Sequence, residues 1–296
     1  MTLDQLRAFC AVVEKGGFHA AAEGLFRSQS AVSIAIKNLE SEIQCELFDR
    51  SNYRPDLNAA GRILYDKAKG ILAKAEDFVS AAAHFSQGGE TEISIALGAI
   101  TPVEQVIEVV QSVSAQAPAT RMTLQIENMG GTLERLFDKD VDFAIAERFA
   151  PVPNTESVRL TSTTMVAVIA PSFVLAACFP EIKVKDLELC VQVVVRDTSR
   201  HRPKQSAGLI EGAQQWLVND FDMKKRVILS GSGWGRMPYH RVAEELADGR
   251  LLALSGAGLE PVELDIYLFR RLNETMGPVG DSLWNALQEV AYVQNK

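Results

Sequence analysis

Several things are scarce in this chain. Its 296 residues include only four cysteines, four histidines and 7% aromatic residues. Cys10, Cys45, Cys178 and Cys190 lie far apart with no Cys-x-x-Cys pair, and each has apolar sequence neighbours, as expected of small buried hydrophobes in a reducing compartment. His19, His84, His201 and His240 show no ligand spacing. There is no Gly-x-Ser-x-Gly elbow, His-Glu-x-x-His pair or P-loop, so the sequence signs of metal, hydrolytic and nucleotide chemistry are missing. No metal or cofactor is expected, and the chain is not read as an enzyme. No stretch approaches the ~18 uninterrupted apolar residues that span a bilayer, and the start Met1-Thr2-Leu3-Asp4-Gln5 lacks the basic residues and apolar run of a signal peptide. A cytoplasmic location without a membrane partner is expected. Excess positive charge is also absent: 30 Lys and Arg against 38 Asp and Glu give −8, which by itself argues mildly against a nucleic-acid partner.

What is present is a globular composition, with 47% hydrophobic and 23% charged residues. The length allows two or three domains. The pattern changes twice along it.

Up to about residue 57 the chain reads as short helices with compact breaks. Leu3, Leu6, Cys10 and Val13 form the stripe of an amphipathic helix that ends at Gly16-Gly17. A second helix covers residues 20–25. A third opens at Ser28, whose hydroxyl can cap the amides of Ser30 or Ala31, and buries Val32, Ile36, Leu39 and Ile43. Its other face carries Gln29, Ser30, Ser33, Ile34 and Lys37. Two helices joined by the break Phe26-Arg27-Ser28, the second with polar groups in its first turns, describe a helix-turn-helix whose second helix fits the major groove. The broken, polar run 47–57 reads as a wing, with Arg50 and Arg54 set to meet phosphates or a narrow minor groove. Gln29 offers a bidentate amide to adenine, and Ser33 and Lys37 suit phosphate.

From Asn58, a good N-cap, to Gln87 the sequence predicts one long helix stopped by Gly88-Gly89. Leu64, Ala68, Ile71, Ala75, Phe78, Ala82 and Phe85 follow steps of four and three, a seam of roughly 30 Å at 1.5 Å per residue. An ordinary core-facing helix would show a wider apolar face. The seam therefore reads as a dimerisation surface, and a dimer doubles the reading helix as palindromic sites require.

Residues 91–296 change period to alternating strands and helices. Strand 92–97, helix 102–116, strand 121–127, helix 131–138 and strand 141–146 make a parallel β-α-β-α-β set. Strand 165–170, strand 190–196, helix 212–218, strand 226–230 and helix 239–247 are expected next, then strand 262–269 and helix 281–293. Two α/β lobes with a cleft between them follow, and ligands in open α/β sheets bind beyond the carboxyl ends of the strands. By that topology the cleft is lined by Ala99, Ile100, Thr101, Met129, Gly130, Glu147, Arg148, Thr198, Ser199 and Arg200, with Arg148 and Arg200 as carboxylate partners. Gly231, Ser232, Gly233 and Trp234 join them. The run Gly231-Ser232-Gly233-Trp234-Gly235 brings its third glycine one position early for a dinucleotide loop. It is read instead as a loop that turns a helix amino terminus, and hence an anion site, toward the cleft.

The stretch Phe9-x-x-Val12-Val13-x-x-Gly16-Gly17-Phe18-x-Ala20-Ala21-Ala22-x-x-Leu25, then Ser28-Gln29-Ser30-Ala31-Val32-Ser33-x-x-Ile36-x-x-Leu39-Glu40, Leu47-Phe48-x-Arg50 and Leu57-x-x-x-Gly61 resembles the amino-terminal signature of LysR-type transcriptional regulators. The rest is similar in layout, with Asp142-Phe143-Ala144-Ile145 and Gly231-Ser232-Gly233-Trp234-x-x-Met237-Pro238 at expected places. The resemblance implies a fold that is α/β with an all-α winged helix-turn-helix at the amino terminus. It implies domains of residues 1–57 (DNA-binding), 58–89 (linker and dimerisation helix) and 90–296. The last is a two-lobed α/β effector domain similar to periplasmic solute-binding proteins, with lobe I at 90–161 and 266–296 and lobe II at 162–265. The function implied is sequence-specific transcriptional regulation under a small-molecule effector, an anion being one candidate. The partners are double-stranded DNA, further copies of the chain as a homodimer or dimer of dimers, and RNA polymerase.

Three positions depart from the family pattern. Ile34 stands where Arg is usual, which exchanges a polar contact for an apolar one to a thymine methyl. Gln44 stands for Gly at the helix end, where the backbone must turn left-handed or the helix must end differently. Asn58 stands for Thr as the linker-helix cap and keeps the capping chemistry. Some members of the family use a cysteine pair as a redox switch. Here the apolar run around Cys190 favours inert burial over a Cys178–Cys190 switch.

The competing readings are a solute-binding receptor with the same two lobes and an enzyme. Deleting residues 1–57 separates them, because a regulator loses DNA binding and keeps ligand binding. Residues 1–90 hold 10 basic and 12 acidic residues, and residues 91–296 hold 20 and 26. DNA binding must therefore rest on local placement of Lys37, Arg50 and Arg54 and on doubling by dimerisation, not on a basic field.

Overall fold

The computed structural model describes residues 1–49, 56–148 and 150–294, the last five as backbone. They form two compact units, Met1–Gln87 and Gly88–Lys296.

In the first unit α1 (Leu3–Lys15) begins with a capping box, in which the Thr2 hydroxyl accepts the Gln5 N–H and the Gln5 side chain accepts the Thr2 N–H. It stops at Gly16, whose φ of 74° is free to glycine. Then come α2 (Phe18–Gly24), α3 (Gln29–Ile43), the strands β1 (Phe48–Asp49) and β2 (Asp56–Leu57), and α4 (Ala59–Ser86). β1 and β2 pair antiparallel, Phe48 opposite Leu57. Their connection, with Arg50 and Arg54, lies outside the described residues.

Leu6, Phe9, Val32, Ile36, Leu39 and Leu47 are the centre of this unit's core, and each is worth about 1.5–3 kcal/mol of burial. The Phe9 ring meets Phe48 and Tyr65 edge-on at 5.7 and 6.3 Å. Gln44 takes the left-handed conformation at φ 52°, so α3 ends by the usual geometry without the usual glycine. The Glu40 carboxylate accepts the Leu47 N–H at 2.8 Å and secures the chain beyond that turn. Asn58 caps α4 by accepting the Gly61 N–H at 2.7 Å, while its amide donates to the Glu46 carbonyl. A β-carbon on Gly61 would lie 2.0 Å from the Leu47 carbonyl oxygen, so only glycine lets α4 start against this strand.

The second unit contains, in order, β3 (Glu92–Gly98), α5 (Glu104–Gln116), β4 (Arg121–Glu127), α6 (Gly130–Phe137), β5 (Phe143–Glu147), β6 (Thr155–Ile169), α7 (Val184–Leu187), β7 (Gln192–Val195), β8 (Gln215–Val218), α8 (Phe221–Leu229), β9 (Gly235–Pro238), α9 (Tyr239–Ala247), β10 (Leu252–Leu254), β11 (Val262–Arg271) and α10 (Pro278–Gln294). β3 lies between β4 and β5, parallel to both. The period-two pattern sorts their side chains: Ile93, Ile95, Phe143 and Ile145 face a core with Val106 and Val110 of α5 and Trp284 of α10, whereas Ala96, Ala144 and Ala146 face Leu136 of α6. The Glu90 carboxylate accepts the Val279 and Gly280 N–H groups at 3.1 and 2.8 Å and fixes the start of α10.

Two long antiparallel strands join the lobes. β6 has 15 residues, so the strand expected at 165–170 is its carboxyl half. Residues Tyr267–Arg271 of β11 pair with Thr155–Arg159, and Val262–Ile266 with Thr161–Met165, with a register shift between Ile266 and Tyr267. The later part of β6 pairs with β9 and β10. β7 and β8 form a separate parallel pair, bridged to Trp234 through Gln192.

Two expectations are corrected here. Residues 215–218, expected in a helix, are strand β8, and residues 226–229, expected in a strand, end helix α8. The cause is Asp220, whose carboxylate accepts the Met223 N–H at 2.7 Å and starts the helix, with Phe221, Lys224 and Ile228 on its buried face at helical spacing. The glycines after it follow a helix and enter β9, so they turn no helix amino terminus toward the cleft. Gly231, at φ 77°, closes the end of α8. Gly233 and Gly235 allow close backbone approach, since added β-carbons would meet the Val191 carbonyl at 2.8 Å and Lys224 Cε at 2.7 Å.

The cysteines divide. Cys10 is buried and its thiol is pushed up to about 11, by burial first and then by Glu14. Cys45 and Cys190 are half-buried, and Cys178 is exposed, contrary to the expected burial, because it sits in a one-turn helix (Ala176–Cys178) with no buried residue.

Candidate functional site

The helix α3 separates its residues by face. Val32, Ile36 and Leu39 are buried, whereas Gln29, Ser30, Ser33, Ile34 and Lys37 are all exposed. Ser28 caps the helix by accepting the Ala31 N–H at 3.2 Å, so the first-turn side chains project from a fixed start. Ile34 is 58% exposed, and Phe26 in the turn before the helix is 98% exposed at φ 55°. These are the groups a major-groove helix presents to base edges and thymine methyls.

The seam of α4 is divided. Leu64 and Ala68 pack into the core of the same unit, so these two are not available to a second chain; their burial against the helices below them is why the exposed seam starts later. From there on Ile71, Phe78 and Phe85 are exposed by 40, 76 and 41%, Ala82 is exposed and Ala75 half-buried. Four seam positions, Ile71, Phe78, Ala82 and Phe85, thus stay exposed on one face of this 28-residue helix among the described residues.

In the second unit a cavity of about 280 Å³ opens beyond the carboxyl ends of β3, β4 and β5, facing β7, α8 and β9. Of the residues expected in the cleft, Ala99, Ile100, Met129 and Glu147 line it. Gly130 and Arg148 line a neighbouring cavity of about 300 Å³, which shares Met129 and Glu147. Arg148 lies over the Tyr267 ring at 3.8 Å and donates to Ser157. Thr101 is buried, and its hydroxyl has no hydrogen-bond partner among the described residues.

Thr198, Ser199 and Arg200 belong to a strap, residues 196–214, that docks on α6. The Thr198 hydroxyl accepts the Asn128 N–H at 2.9 Å, and Ser199 donates through its backbone and hydroxyl to Asp197 at 2.7 and 2.6 Å. The Glu134 carboxylate accepts the N–H groups of Arg200, His201 and Arg202. Burial alone would raise the Glu134 pKa, but these three donors pull it down to about 2. Arg200 meets Asp140 at 3.5 Å. None of the three lines the cavity beyond β3, β4 and β5, and neither Arg148 nor Arg200 is its cation. Gly231, Ser232 and Gly233 are also elsewhere, and the Trp234 ring, 1% exposed, borders a different cavity with Val184 and Leu259.

The cations that line the cavity beyond β3, β4 and β5 are Lys224 and Arg236. Lys224 is 7% exposed, and its ammonium has no hydrogen bond or ion pair among the described residues. Burial first, and then the charge of Arg236, draws its pKa down to about 7. Arg236 donates to the carbonyls of Glu260 and Gly258 at 2.8 and 3.0 Å. On the opposite lobe the Glu147 Oε2 and Asn128 Oδ1 atoms are buried without partners among the described residues, and burial followed by the charge of Asp197 raises the Glu147 pKa. Ala207, Gly208 and Leu209 of the strap close one side, held where Gln192 donates to the Gly208 carbonyl at 2.7 Å and accepts the Ile210 N–H at 3.0 Å. For Lys224 the sequence signal is the Asp220 cap followed by apolar residues at helical spacing, which puts it on the buried face of α8; no local pattern marks Arg236 of β9.

Residues 3–62 match the family model described as bacterial regulatory helix-turn-helix protein, lysR family, and residues 86–291 match the LysR substrate binding domain. The chain belongs to the LysR family. This LysR-type protein is 29% identical over 279 residues to the probable HTH-type transcriptional regulator YhaJ of Escherichia coli K12, covering 94% of this chain and 92% of that one. It is similar in fold to ArgP from Mycobacterium tuberculosis, with a TM-score of 0.55 and 21% identity over 97% of this chain and 96% of that one. LysG from Corynebacterium glutamicum with bound effector Arg gives a TM-score of 0.52 and 23% identity, covering 98% of each chain. The LysR-type protein is thus a DNA-binding transcriptional regulator with an effector-binding domain, a member of a family of oligomeric regulators and not of enzymes. No helix among its described residues is long and apolar enough to cross a membrane.

Proposed function

We propose that this LysR-type regulator reads its operator through Gln29, Ser30, Ser33, Ile34 and Lys37, with Arg50 and Arg54 on phosphates. The observation that carries the reading is the complete exposure of this face of α3 while its other face is core. Ile34 and Phe26 suit thymine methyls, which makes the expected operator rich in A·T steps at the contacted positions. Residues 1–57 act as the DNA-binding domain and 58–89 as the linker, with Ile71, Ala75, Phe78, Ala82 and Phe85 as the seam between two copies. A dimer of dimers and a contact with RNA polymerase follow from the same reading, as does a cytoplasmic location, where its DNA is. In residues 90–296 the effector lies between lobe I (90–161 and 266–296) and lobe II (162–265), and changes their relative setting and so the spacing of the reading helices.

The test is binding of the full chain to the DNA upstream of its own gene. Affinity is expected to fall steeply with salt and to be lost in Gln29→Ala combined with Lys37→Ala. Unchanged binding by that double variant would overturn the assignment.

A further inference from the structure

Three polar groups in the cavity of the second unit, the Lys224 ammonium, Glu147 Oε2 and Asn128 Oδ1, have no hydrogen-bond partner among the described residues, while Arg236 beside them is bonded to two backbone carbonyls. Lobe II contributes two cations, Lys224 and Arg236, with no carboxylate bonded to either among the described residues. Lobe I contributes two buried acceptors, Glu147 Oε2 and Asn128 Oδ1, with no donor on either among the described residues. The walls between them are apolar, with Val193 and Phe221 among them. Glu147 and Lys224 line the same space, and no ion pair joins them among the described residues. An unpaired buried charge or acceptor costs free energy, so each end of the cavity favours an occupant that supplies what it lacks.

Resting on the reading of this cavity as the effector site, we propose that the effector is a small molecule with an apolar body, an acidic group at one end held by Lys224, and a hydrogen-bond donor at the other held by Glu147 and Asn128. Such a molecule ties lobe II to lobe I, which is how it would favour the closed setting. The size agrees: about 280 Å³ is at the lower end of ligand cavities and suits a small metabolite. The low pKa of Lys224 agrees too, since an anion beside it restores the charged form that burial and Arg236 disfavour. The Glu147 carboxyl offers an acceptor oxygen to a hydroxyl and, as a carboxylate, a counter-charge to an amine. Hydroxyl and amine donors are therefore two arms of one test.

The probes are ω-hydroxyhexanoate and para-(hydroxymethyl)benzoate, then a library of ω-hydroxy and ω-amino acids with varied chain and ring bodies. Each is paired with its primary amide and with the acid lacking the donor. Binding to the full-length protein is followed by calorimetry and thermal shift. The expected result is that acids bind at least tenfold more tightly than their amides, that removing the donor weakens binding, and that Lys224→Met abolishes the preference for acid over amide while remaining folded by circular dichroism. Glu147→Leu should abolish the preference for the donor. Amides binding as well as acids, no acid binding at millimolar concentration, or an acid preference that survives Lys224→Met would each overturn the ligand class. A separate variant, Val193→Trp, fills the cavity. If it leaves binding of an identified acid intact, the cavity itself is not the effector site, whatever the ligand's chemistry.

Discussion

The exposed face of α3 and the cavity of the second unit, the two surfaces proposed for DNA and effector, are built in opposite ways. The helix face takes its five residues from a nine-residue stretch, Gln29 to Lys37, and owes its geometry to one cap and one buried stripe. The cavity takes its groups from β5, β7, α8, β9, β11 and a strap, with residues from Ala99 to Leu264. A surface made locally depends on the helix that carries it; a surface made from distant segments depends on every element that packs behind it. Mutations should therefore act on the two in different ways.

The largest expected effect is in the framework behind α3. Gly61→Val places side-chain atoms against the Leu47 carbonyl and should destabilise the first unit by about 2–4 kcal/mol, with loss of DNA binding. Urea unfolding followed by circular dichroism, beside ligand binding by the same variant, checks this. Equal losses in both functions would break the contrast drawn above.

Next is Lys224→Met. A base whose folded pKa is drawn down to about 7 from 10.5 makes the protein less stable when the pH is low, because the buried form must then be charged. That cost is full below about pH 7, shrinks as the pH rises toward 10.5, and is absent above it. Lys224→Met should thus be the more stable protein at pH 6 by roughly 1–4 kcal/mol, with the gap narrowing as pH rises. Melting curves of both proteins across that range test the sign.

Gln29→Ala should cost about 1–3 kcal/mol of discrimination at one base pair, whereas Lys37→Ala should weaken all sequences alike and reduce the salt slope by about 1. Titrations on operator and scrambled DNA separate the two. Phe78→Glu should weaken self-association at least tenfold without altering the melting of the first unit, as Phe78 is 76% exposed; sedimentation and thermal unfolding together check it. The smallest effect is at the α4 cap: Asn58→Ala should cost about 1 kcal/mol and Asn58→Thr close to nothing, read from denaturant midpoints.

Elements with a strong local signal were legible in the sequence. The capping Ser28 and Asn58, the breaks at Gly16 and Gly88, and the alternating β3, β4 and β5 were readable because each is decided within a few residues. The Leu57-x-x-x-Gly61 spacing was readable as a signature, and only the fold supplied its reason, the Leu47 carbonyl in the space a side chain would fill. The stretch 212–230 was misread because strand β8 has four exposed or half-buried residues and α8 only nine, too short for periodicity to outvote the glycines that follow. The cleft residues divide on the same ground. Ala99, Ile100, Met129 and Glu147 follow from the rule that ligands bind at strand ends. Arg148 and Arg200 were chosen by the same rule and found other partners, the Tyr267 ring and Asp140, which no local pattern reveals.

What the sequence by itself determined is the family, the helix α3 with its two faces, and the layout of helices and α/β lobes, because these depend on spacings within one turn, one heptad or one strand. The tertiary structure alone decided which seam residues are spent inside the core and which cations enter the cavity. It also left acceptors of lobe I without donors. Burial and pairing are relations between residues far apart in the chain, and a lysine becomes a ligand group only when everything that might neutralise it has been packed somewhere else.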